Sequence, residues 1–494
     1  TLQDLGRTGE ALACFEQALA RQPGAPILQY NRGNALLGLG RFAEAVDSYD
    51  VVLRQLPDHA DAWNNRGNAL METGHFDEAL HSFDRALALR PDFADARINR
   101  GNALLELDRV EEAEAEFASA VAADRSDAAA RNGLGMARQR SNDFTAAESD
   151  FSRALELDPG FDEARLNLAL LRLFRHDFAG AWGDYESRLQ VPEYRPRMRR
   201  QPHSVDLFRT LPRWDGPGTA VAGTVAVWAE QGIGDQILFS TLLPELLRRE
   251  QHFLIEVDSR LINAYRRSFP AAAFVGLADP PVPELTGAAA AIFAGSLPRW
   301  FRRDAASFTR QPRGLLQALP GHVADLGDRL GAGFRVALSW RSGRSGWRGR
   351  DKSLALDAFR PLFGVAGVNW VDVQYGDTVG ERRDLEQRQG IRIRHFDDID
   401  YREDLEKVLA LLECCDLLIT TSNASAHLAA ALGKPVWLLY PGERAPFHYW
   451  SHDGDHRCLW YPSVEIVSAP QLDDWPKLIT HAAARLQALV AERN

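Results

Sequence analysis

The chain has 494 residues, more than a single hydrophobic core supports, so two or three domains are expected. Its 45% hydrophobic and 25% charged residues are typical of a soluble globular protein, and a formal net charge of −11 argues against a nucleic-acid partner. No apolar run reaches the roughly 18 residues of a membrane span, no signal peptide opens the chain, and the four cysteines lack disulfide or metal-site spacing, so a cytoplasmic protein is expected.

Charge is distributed unevenly along the chain. Residues 1–190 contain 20 Arg, no Lys and 32 acidic residues, which gives −12, whereas residues 191–494 contain 37 basic and 36 acidic residues. This asymmetry predicts separate roles for the two parts.

The first 190 residues repeat with a period of 34. Four kinds of residue keep this period: prolines at 23, 57, 91 and 159, aromatics at 15, 49, 83, 117, 151 and 185, alanines at 11, 45, 79, 113, 147 and 181, and glycines at 33, 67, 101 and 135. Each unit holds two helical patterns and ends at the proline position, which predicts helical hairpins that bury their apolar faces by stacking.

These columns resemble the tetratricopeptide repeat (TPR), which implies an α-solenoid, the TPR superhelix, over residues 1–190. The small residues at the Gly33 and Ala45 positions are expected to let the two helices of a unit approach closely. The aromatic column is expected to fill the gap to the next unit. Because the sequence starts partway through a unit, the full protein is expected to carry at least one further helix before it.

Asparagine forms two further columns in the first helices of successive units. The six residues are Asn31, Asn65 and Asn99 in one column and Asn34, Asn68 and Asn102 in the other. Positions three apart share a helix face, and side-chain amides can both donate to and accept from a peptide backbone. This ladder, similar to one in the eukaryotic O-GlcNAc transferase, favours a groove that holds an acceptor peptide. The alternatives are that these residues bridge adjacent repeats or face water.

Residues 191–217 are rich in Pro and Arg, which predicts an extended linker. Beyond it, short apolar runs alternate with helical patterns in two series, which predicts parallel sheets. We therefore expect two Rossmann-like lobes, 218–331 on the acceptor side and 332–494 on the donor side. This is the α/β GT-B architecture of many nucleotide-sugar glycosyltransferases, whose ligands bind beyond the carboxyl ends of the strands.

The first segment with predicted chemistry is AEQGIGDQILFSTLLP, residues 229–244. Its glycines open a helix N-terminus, where Asp235 lies in the first turn and is placed to take a proton from an acceptor hydroxyl. The alternative is that Asp235 only stabilises the helix terminus. The segment resembles the GD…P motif of bacterial ADP-heptose:lipopolysaccharide heptosyltransferases, and more closely the EQG-G-D segment of TPR-fused relatives. The resemblance implies that Asp235 is the catalytic base, with Glu230 as a second candidate and Gly234 near the donor.

The second segment, SWRSGRSGWRGRDKSLAL at 339–356, combines flexible backbone with several basic side chains. Such a loop suits a phosphate or carboxylate group. Similarity to the heptosyltransferases implies that Arg341 or Lys352 contacts the nucleotide phosphates. The alternative is a solvated basic loop.

The third segment, CDLLITTSNASAHLAAALGKPVWLLYP at 415–441, predicts a buried strand followed by a polar helix N-terminus that suits a phosphate. It resembles the family pattern D-T-G-x-x-H-L-A-A-A-L-G-K-P, which implies donor contacts by Ser422, Asn423, Ser425 and His427. Here Ser422, Asn423 and Ala424 replace the family's Asp, Thr and Gly. The lost negative charge favours a donor with its own carboxylate, such as a CMP-activated nonulosonic acid of the pseudaminic or legionaminic type, over ADP-heptose.

Two weaker signals complete the prediction. Gln374 ends an apolar strand pattern and is a candidate for nucleotide contact. Aromatic residues cluster after Pro441 and either stack on a base or sugar or pack the hinge between the lobes; they are Phe447, Tyr449, Trp450, Trp460 and Tyr461. His448 lacks a partner at metal-ligand spacing, so no metal site and no cofactor are predicted.

Together these patterns predict a bacterial protein O-glycosyltransferase, independent of metal, that moves a sugar from a nucleotide-sugar donor to Ser or Thr of a protein held by the repeats. Similarity to TPR-fused flagellin-modifying transferases makes flagellin the preferred acceptor. Two alternatives stay open. One is a heptosyltransferase-like enzyme acting on a glycan or lipid, and the other is a TPR scaffold with an inactive GT-B part.

Overall fold

The structure is a computed structural model that describes residues 7–191, 208, 210–230, 232–342, 353–440, 448–468 and 474–493. The chain forms two compact units, one that ends at Ala164 and one that begins at Arg165. Within the described residues, no helix is both long and apolar enough to cross a bilayer.

The first unit consists of antiparallel helical hairpins in which each helix packs against the next. Its helices are α1 (Thr8–Arg21), α2 (Pro26–Gly38), α3 (Phe42–Gln55), α4 (Ala60–Glu72), α5 (Phe76–Leu89), α6 (Ala94–Glu106), α7 (Val110–Ala123), α8 (Ala128–Arg140) and α9 (Phe144–Leu157). The 34-residue period thus becomes a stack of helix pairs, as the sequence predicts.

The aromatic column packs on the glycine column of the same hairpin. A Cβ added to Gly33 would lie 2.7 Å from Cε1 of Tyr49, and Gly67 lies equally tightly against Phe83. Only a residue without a side chain lets the ring lie flat on the neighbouring helix. Phe117 lies tightly against both Gly101 of its own unit and Gly133 of the next, as expected for a ring that fills the gap to the next unit. For the other aromatics of the column this expectation stays a prediction.

The turn inside each hairpin uses a left-handed backbone conformation at a fixed position. Gly40 and Gly74 have φ of 73° and 78°, and Asp108, Asn142 and His176 take this position at the following intervals of 34, with φ between 62° and 65°. A left-handed residue after a helix stops the helix and turns the chain. The sequence predicts the turns at Gly40 and Gly74. It does not predict the equivalent turns at Asp108, Asn142 and His176, because no glycine marks them.

The second unit begins with one more hairpin, α10 (Asp162–Phe174) and α11 (Phe178–Asp184), followed by a 3₁₀ turn (Tyr185–Leu189). The Trp182 indole donates to the Arg302 carbonyl oxygen at 2.7 Å, and its ring meets Trp460 edge to face. This hairpin therefore packs into the α/β region, and the predicted boundary at residue 190 lies inside the second unit.

The first sheet of this unit has four parallel strands in the order β3-β2-β1-β4. They are β1 (Thr224–Trp228), β2 (His252–Val257), β3 (Ala273–Gly276) and β4 (Ala290–Phe293). The helices among and after them are α12 (Ile233–Ser240), α13 (Leu243–Leu246), α14 (Ile262–Ser268), α15 (Pro283–Thr286), α16 (Pro298–Phe301) and α17 (Pro320–Leu330).

The second sheet has five parallel strands in the order β6-β5-β7-β8-β9. They are β5 (Phe334–Ser339), β6 (Val368–Asp372), β7 (Leu417–Thr420), β8 (Val436–Tyr440) and β9 (Val464–Ser468). The accompanying helices are α18 (Arg360–Phe363), α19 (Val379–Gln389), α20 (Leu405–Glu413), α21 (Ala424–Ala431) and α22 (Trp475–Ala491).

Both sheets are parallel and carry helical crossovers, so an α/β region follows the helical repeats as predicted. Strands β1, β4, β7 and β8 are almost wholly apolar, as expected for sheets covered on both faces. All strands at the sheet centres match predicted apolar runs, while β3 and β9, which form outer edges, are not predicted from the sequence.

Candidate functional site

The residues predicted to bind a donor meet at the carboxyl ends of β5, β6 and β7. The side-chain oxygen of Gln374, just after β6, accepts from the backbone N–H groups of Trp340 and Arg341 at 2.9 Å each. It also accepts from the Ser339 hydroxyl at 3.0 Å. Gln374 is buried and shapes the loop after β5. The structure therefore gives Gln374 a positioning role in the site.

Asn423 closes the N-terminus of α21. Its side-chain oxygen accepts from the backbone N–H of Ser425 at 3.0 Å and of Ala426 at 3.4 Å, as an N-cap residue does. Its amide nitrogen donates to the Ser339 hydroxyl at 2.8 Å and reaches the Arg341 carbonyl oxygen at 3.5 Å. Asn423 thus connects the ends of β5 and β7.

Ser422 and Ser425 flank this cap and are both buried. The Ser422 hydroxyl accepts from the Trp450 indole at 2.9 Å, and the Ser425 hydroxyl donates to the Val373 carbonyl oxygen at 3.3 Å. The polar stretch predicted to contact a donor therefore also bonds extensively within the protein.

His427 lies in the middle of an aromatic cluster. Its Nδ1 is 2.9 Å from the Tyr461 hydroxyl oxygen. The centroid of its ring lies 4.7 Å from the centroid of the Trp450 ring and 5.4 Å from that of the Tyr449 ring. Burial raises the pKa of Tyr461 well above its ordinary value, with a contribution from the charge of Asp235, so the phenol stays protonated. Together with the buried Trp460, these rings pack in the interior of the second unit. The two predicted uses of this cluster stay predictions, and Phe447 lies outside the described residues.

The helix after β1 meets the helix after β7 at this point. A Cβ added to Gly234 would lie 2.8 Å from Cδ2 of His427, so the N-terminus of α12 rests on the imidazole. Asp235 follows Gly234 and is half-buried, with one carboxylate oxygen 3.2 Å from the Gly232 N–H that it accepts from. Asp235 thus caps its own helix and remains partly accessible to solvent, which satisfies the first condition for a base.

Glu230 has a different environment. It is 1% exposed, and its two oxygens accept from Nε and one terminal nitrogen of Arg188 at 3.0 and 2.8 Å. The Gly295 N–H donates to the same carboxylate at 2.6 Å. This enclosed carboxylate connects Arg188 to the loop after β4. The role of Glu230 as the second candidate base stays a prediction.

Arg341 is half-buried after β5 and turns toward α19. Its guanidinium forms an ion pair with Glu381 and donates to the Asp377 carbonyl oxygen at 2.5 Å. Lys352 and the other basic side chains of its loop lie outside the described residues. The predicted contact of this loop with phosphate groups stays a prediction.

The asparagine columns divide into bonded and unbonded residues. Asn65 donates to the Asn34 oxygen of the preceding unit at 3.0 Å, and Tyr49 donates to the same oxygen at 2.7 Å. Asn99 donates to Asn64 of its preceding unit at 3.0 Å. These amides bridge adjacent repeats. Asn31, Asn68 and Asn102 are half-buried and form no side-chain hydrogen bond among the described residues, so they are the ones available to a peptide.

The residues that sequence reasoning missed are mostly partners of the predicted ones. Arg188 and Tyr461 are far in sequence from Glu230 and His427, and no spacing rule connects them. Asp372 at the end of β6 is also missed; it is wholly buried and accepts from the Gln374 N–H at 2.8 Å.

The N-terminal part of the chain matches known repeats. A sequence model of the tetratricopeptide repeat matches residues 1–60, 64–128 and 132–194, so these segments are TPR repeats. Protein FlbA of Caulobacter vibrioides is 27% identical over 307 residues, which cover 57% of this chain and 50% of FlbA. The match thus spans about half the length of that relative, and it includes residues beyond the repeats because it covers more of this chain than they do.

Solved structures that resemble the chain correspond to about a third of it. A thermophilic TPR protein of Thermus thermophilus is 23% identical and matches 35% of this chain and 94% of its own, with a TM-score of 0.31. A tetratricopeptide repeat protein of Parabacteroides merdae is 21% identical and matches 38% of this chain and 75% of its own, with a TM-score of 0.35.

Proposed function

We propose that the protein is a glycosyltransferase of GT-B type that moves a sugar from a nucleotide-sugar donor to Ser or Thr of a protein. One observation carries the proposal. The two segments that resemble heptosyltransferase motifs are far apart in the sequence, and they meet where Gly234 lies on His427. Chemistry in open α/β sheets is found at such strand ends.

Asp235 is the proposed base. The acceptor hydroxyl oxygen attacks the anomeric carbon of the donor, the bond from that carbon to the phosphate oxygen breaks, and the hydroxyl proton passes to the Asp235 carboxylate. General-base assistance of this kind contributes about 10²- to 10⁴-fold to a rate. The partial exposure of Asp235 supports this role, whereas Glu230 is enclosed.

The leaving nucleotide phosphate is proposed to lie near the N-terminus of α21 and the loop after β5. Arg341 and, in the undescribed loop, Lys352 supply positive charge, while Ser422, Asn423, Ser425 and His427 shape the helix terminus. Stabilisation of the departing negative charge by positioned donors is a large part of such catalysis, and it allows transfer without a metal.

The acceptor is proposed to be a protein bound along the TPR repeats. The repeats support protein binding, and the unbonded amides of Asn31, Asn68 and Asn102 offer both donors and acceptors to a peptide backbone. On the sequence resemblance to TPR-fused flagellin-modifying transferases, we propose flagellin as the acceptor and a CMP-activated nonulosonic acid as the donor.

The substitution Asp235→Asn tests the base. It keeps the size and capping ability of the side chain but removes its basicity, so transfer to flagellin should fall at least about 100-fold while donor binding and melting temperature persist. Glu284→Gln is the matched control, because Glu284 is an exposed first-turn acid of α15 in the same lobe. Equal turnover by wild type and Asp235→Asn would rule out Asp235 as the base.

A TPR scaffold without catalysis is the second candidate, and one observation favours it. The polar side chains at the α21 terminus bond within the protein, and the Asn423 oxygen already accepts from two first-turn N–H groups. A thermal-shift screen with UDP, GDP, ADP and CMP separates the candidates. Stabilisation by one nucleotide class supports the enzyme, and no shift with any of them supports the scaffold.

A further inference from the structure

A polar cavity lies at the outer edge of the second sheet. It has a volume of about 360 Å³ and lies between α19 and the segment 392–397. That segment pairs with the outer side of β6, since Arg394 exchanges backbone hydrogen bonds with Trp370 and Asp372 at 2.8 Å. The cavity is therefore built on a strand edge and a helix, which are both ordered elements.

The local sequence explains why this cavity is basic. Residues 391–394 read Ile-Arg-Ile-Arg, and an extended backbone sends alternate side chains to opposite faces. Ile393 is buried in the core of the sheet, so Arg392 and Arg394 are exposed on the cavity side. The facing helix α19 adds Arg382 and Arg383 to the lining.

The arginines of the cavity differ in their partners. Nε of Arg382 lies 3.2 Å from the buried carboxylate of Asp372, which also lies 2.9 Å from Nδ1 of His395. Asp372 therefore holds these two side chains in place and balances the charge of Arg382. Arg383, Arg392 and Arg394 form no ion pair with any carboxylate among the described residues. Arg394 differs from the other two, because its guanidinium donates to the Arg329 carbonyl oxygen at 2.7 Å.

The rest of the lining defines the kind of ligand. Two acids, Glu386 and Asp397, oppose the three unpaired guanidiniums, which leaves a net positive charge. Val379, which is 46% exposed, adds apolar surface. The volume is in the range of small-molecule sites and exceeds that of a bare phosphate. Guanidinium groups bind phosphate through paired N–H donors, and acidic side chains accept from hydroxyl groups.

From these features we propose that this cavity binds the phosphate ester of a small hydroxylated molecule, such as a sugar phosphate. Arg383 and Arg392 hold the phosphate, Arg394 adds positive charge beside it, Glu386 and Asp397 accept from the hydroxyl groups, and Val379 covers the carbon skeleton. The cavity adjoins the candidate site, because Asp372 bonds both Gln374 there and Arg382 in the cavity lining. The proposal does not depend on the proposed function.

Isothermal titration at constant ionic strength tests the site, with inorganic phosphate, glucose 6-phosphate and glucose as probes. Wild type is expected to bind glucose 6-phosphate saturably and more tightly than phosphate, and to ignore glucose. The double variant Arg383→Gln/Arg392→Gln should weaken binding more than about 10-fold, since it removes two of the charge-assisted contacts to the phosphate. Because both arginines are exposed and unpaired, the variant is expected to keep the wild-type melting temperature.

Two controls make the result specific. Arg360→Gln/Arg388→Gln removes the same charge from exposed positions outside the cavity and should bind as wild type does. Arg341→Gln removes an arginine of the candidate functional site and should also retain binding. The proposal is overturned if wild type shows no saturable binding, if both double variants weaken it equally, or if only Arg341→Gln does.

Discussion

Gly234 and His427 touch across the two sheets of the second unit: a Cβ on Gly234 would approach Cδ2 of the imidazole to 2.8 Å. Gly234 belongs to the first turn of the helix after β1, and His427 to the helix after β7. The glycine is needed for close approach rather than for an unusual backbone angle, because this residue is helical. The helix after β1 and the helix after β7 therefore approach closely at the candidate site, because the His427 ring fills the space that a side chain at position 234 would need.

Substitution Gly234→Ala tests this contact. The added methyl group has no room, since the His427 ring is packed among Tyr449, Trp450 and Tyr461. Overpacking of this kind costs about 1–3 kcal/mol, so the free energy of unfolding should fall by that amount in urea denaturation.

The neighbouring Gly232→Ala is the matched control. A Cβ on Gly232 would lie 3.6 Å from the Asp235 carboxylate, an ordinary contact, so this variant should lose less stability than Gly234→Ala. Equal losses in the two variants would show that the imidazole does not limit the space at Gly234.

Glu230→Gln is expected to act on stability. It removes the charge that pairs with Arg188, and both side chains are almost wholly buried. Breaking a buried pair costs about 3–5 kcal/mol, and we expect the lower end because Glu186 still accepts from Arg188 at 2.8 Å. Thermal unfolding followed by circular dichroism measures the effect.

Asp398→Asn serves as its control, since Asp398 pairs with Arg329 on the surface, where solvent screens the interaction. This variant should melt as wild type does. If Glu230→Gln also melts at the wild-type temperature but loses activity, Glu230 acts in catalysis and its structural role is refuted.

The sequence predicts those parts of the fold that a local pattern determines. The 34-residue period predicts the hairpins, and continuous apolar runs predict the central strands β1, β5, β7 and β8. The edge strands β3 and β9 are missed, whereas the edge strands β4 and β6 lie within longer apolar runs, AAAAIFAG and NWVDVQYG. A run of four residues such as β3 carries little periodic signal by itself. The pairing of the last hairpin with the α/β region depends on long-range contacts such as Trp182 to Arg302, which no local pattern encodes.

The position of the candidate site in the fold was predictable from the sequence, whereas the roles of its residues were only partly predictable. Gln374 follows β6, and Asn423 and His427 follow β7. These residues come together because the carboxyl ends of parallel strands share one edge of a sheet. The capping bonds of Asn423 are local and agree with the predicted polar helix N-terminus. The bonds of Gln374 to the loop after β5 and of His427 to Tyr461 were not predictable, since these partners lie on distant parts of the sequence.

The asparagine columns yield a prediction with an internal control. Asn68→Ala/Asn102→Ala removes amides that bond to no described residue, so peptide affinity should fall while stability stays the same. Asn34→Ala/Asn65→Ala removes a hydrogen bond between repeats, so stability should fall by about 1 kcal/mol or more. Fluorescence anisotropy with labelled acceptor peptide and urea denaturation give the two readouts. Unchanged affinity in the Asn68 and Asn102 double variant would exclude these amides from the groove.

The four cysteines give a prediction about pH. Burial raises the pKa of Cys415 and of Cys458 to about 12, and it also raises the pKa of the half-buried Cys414. At about pH 8, below the pKa of an ordinary thiol, a thiol reagent followed by mass spectrometry should label exposed Cys14 first and Cys414 more slowly, and should reach the other two only after denaturation.

Because the thiols of Cys415 and Cys458 ionise near pH 9 in the unfolded chain and near pH 12 in the folded protein, they stabilise the fold fully below pH 9 and progressively less up to pH 12. Rapid labelling of Cys415 or Cys458 in the native protein, or stability that rises over this pH range, would contradict their burial.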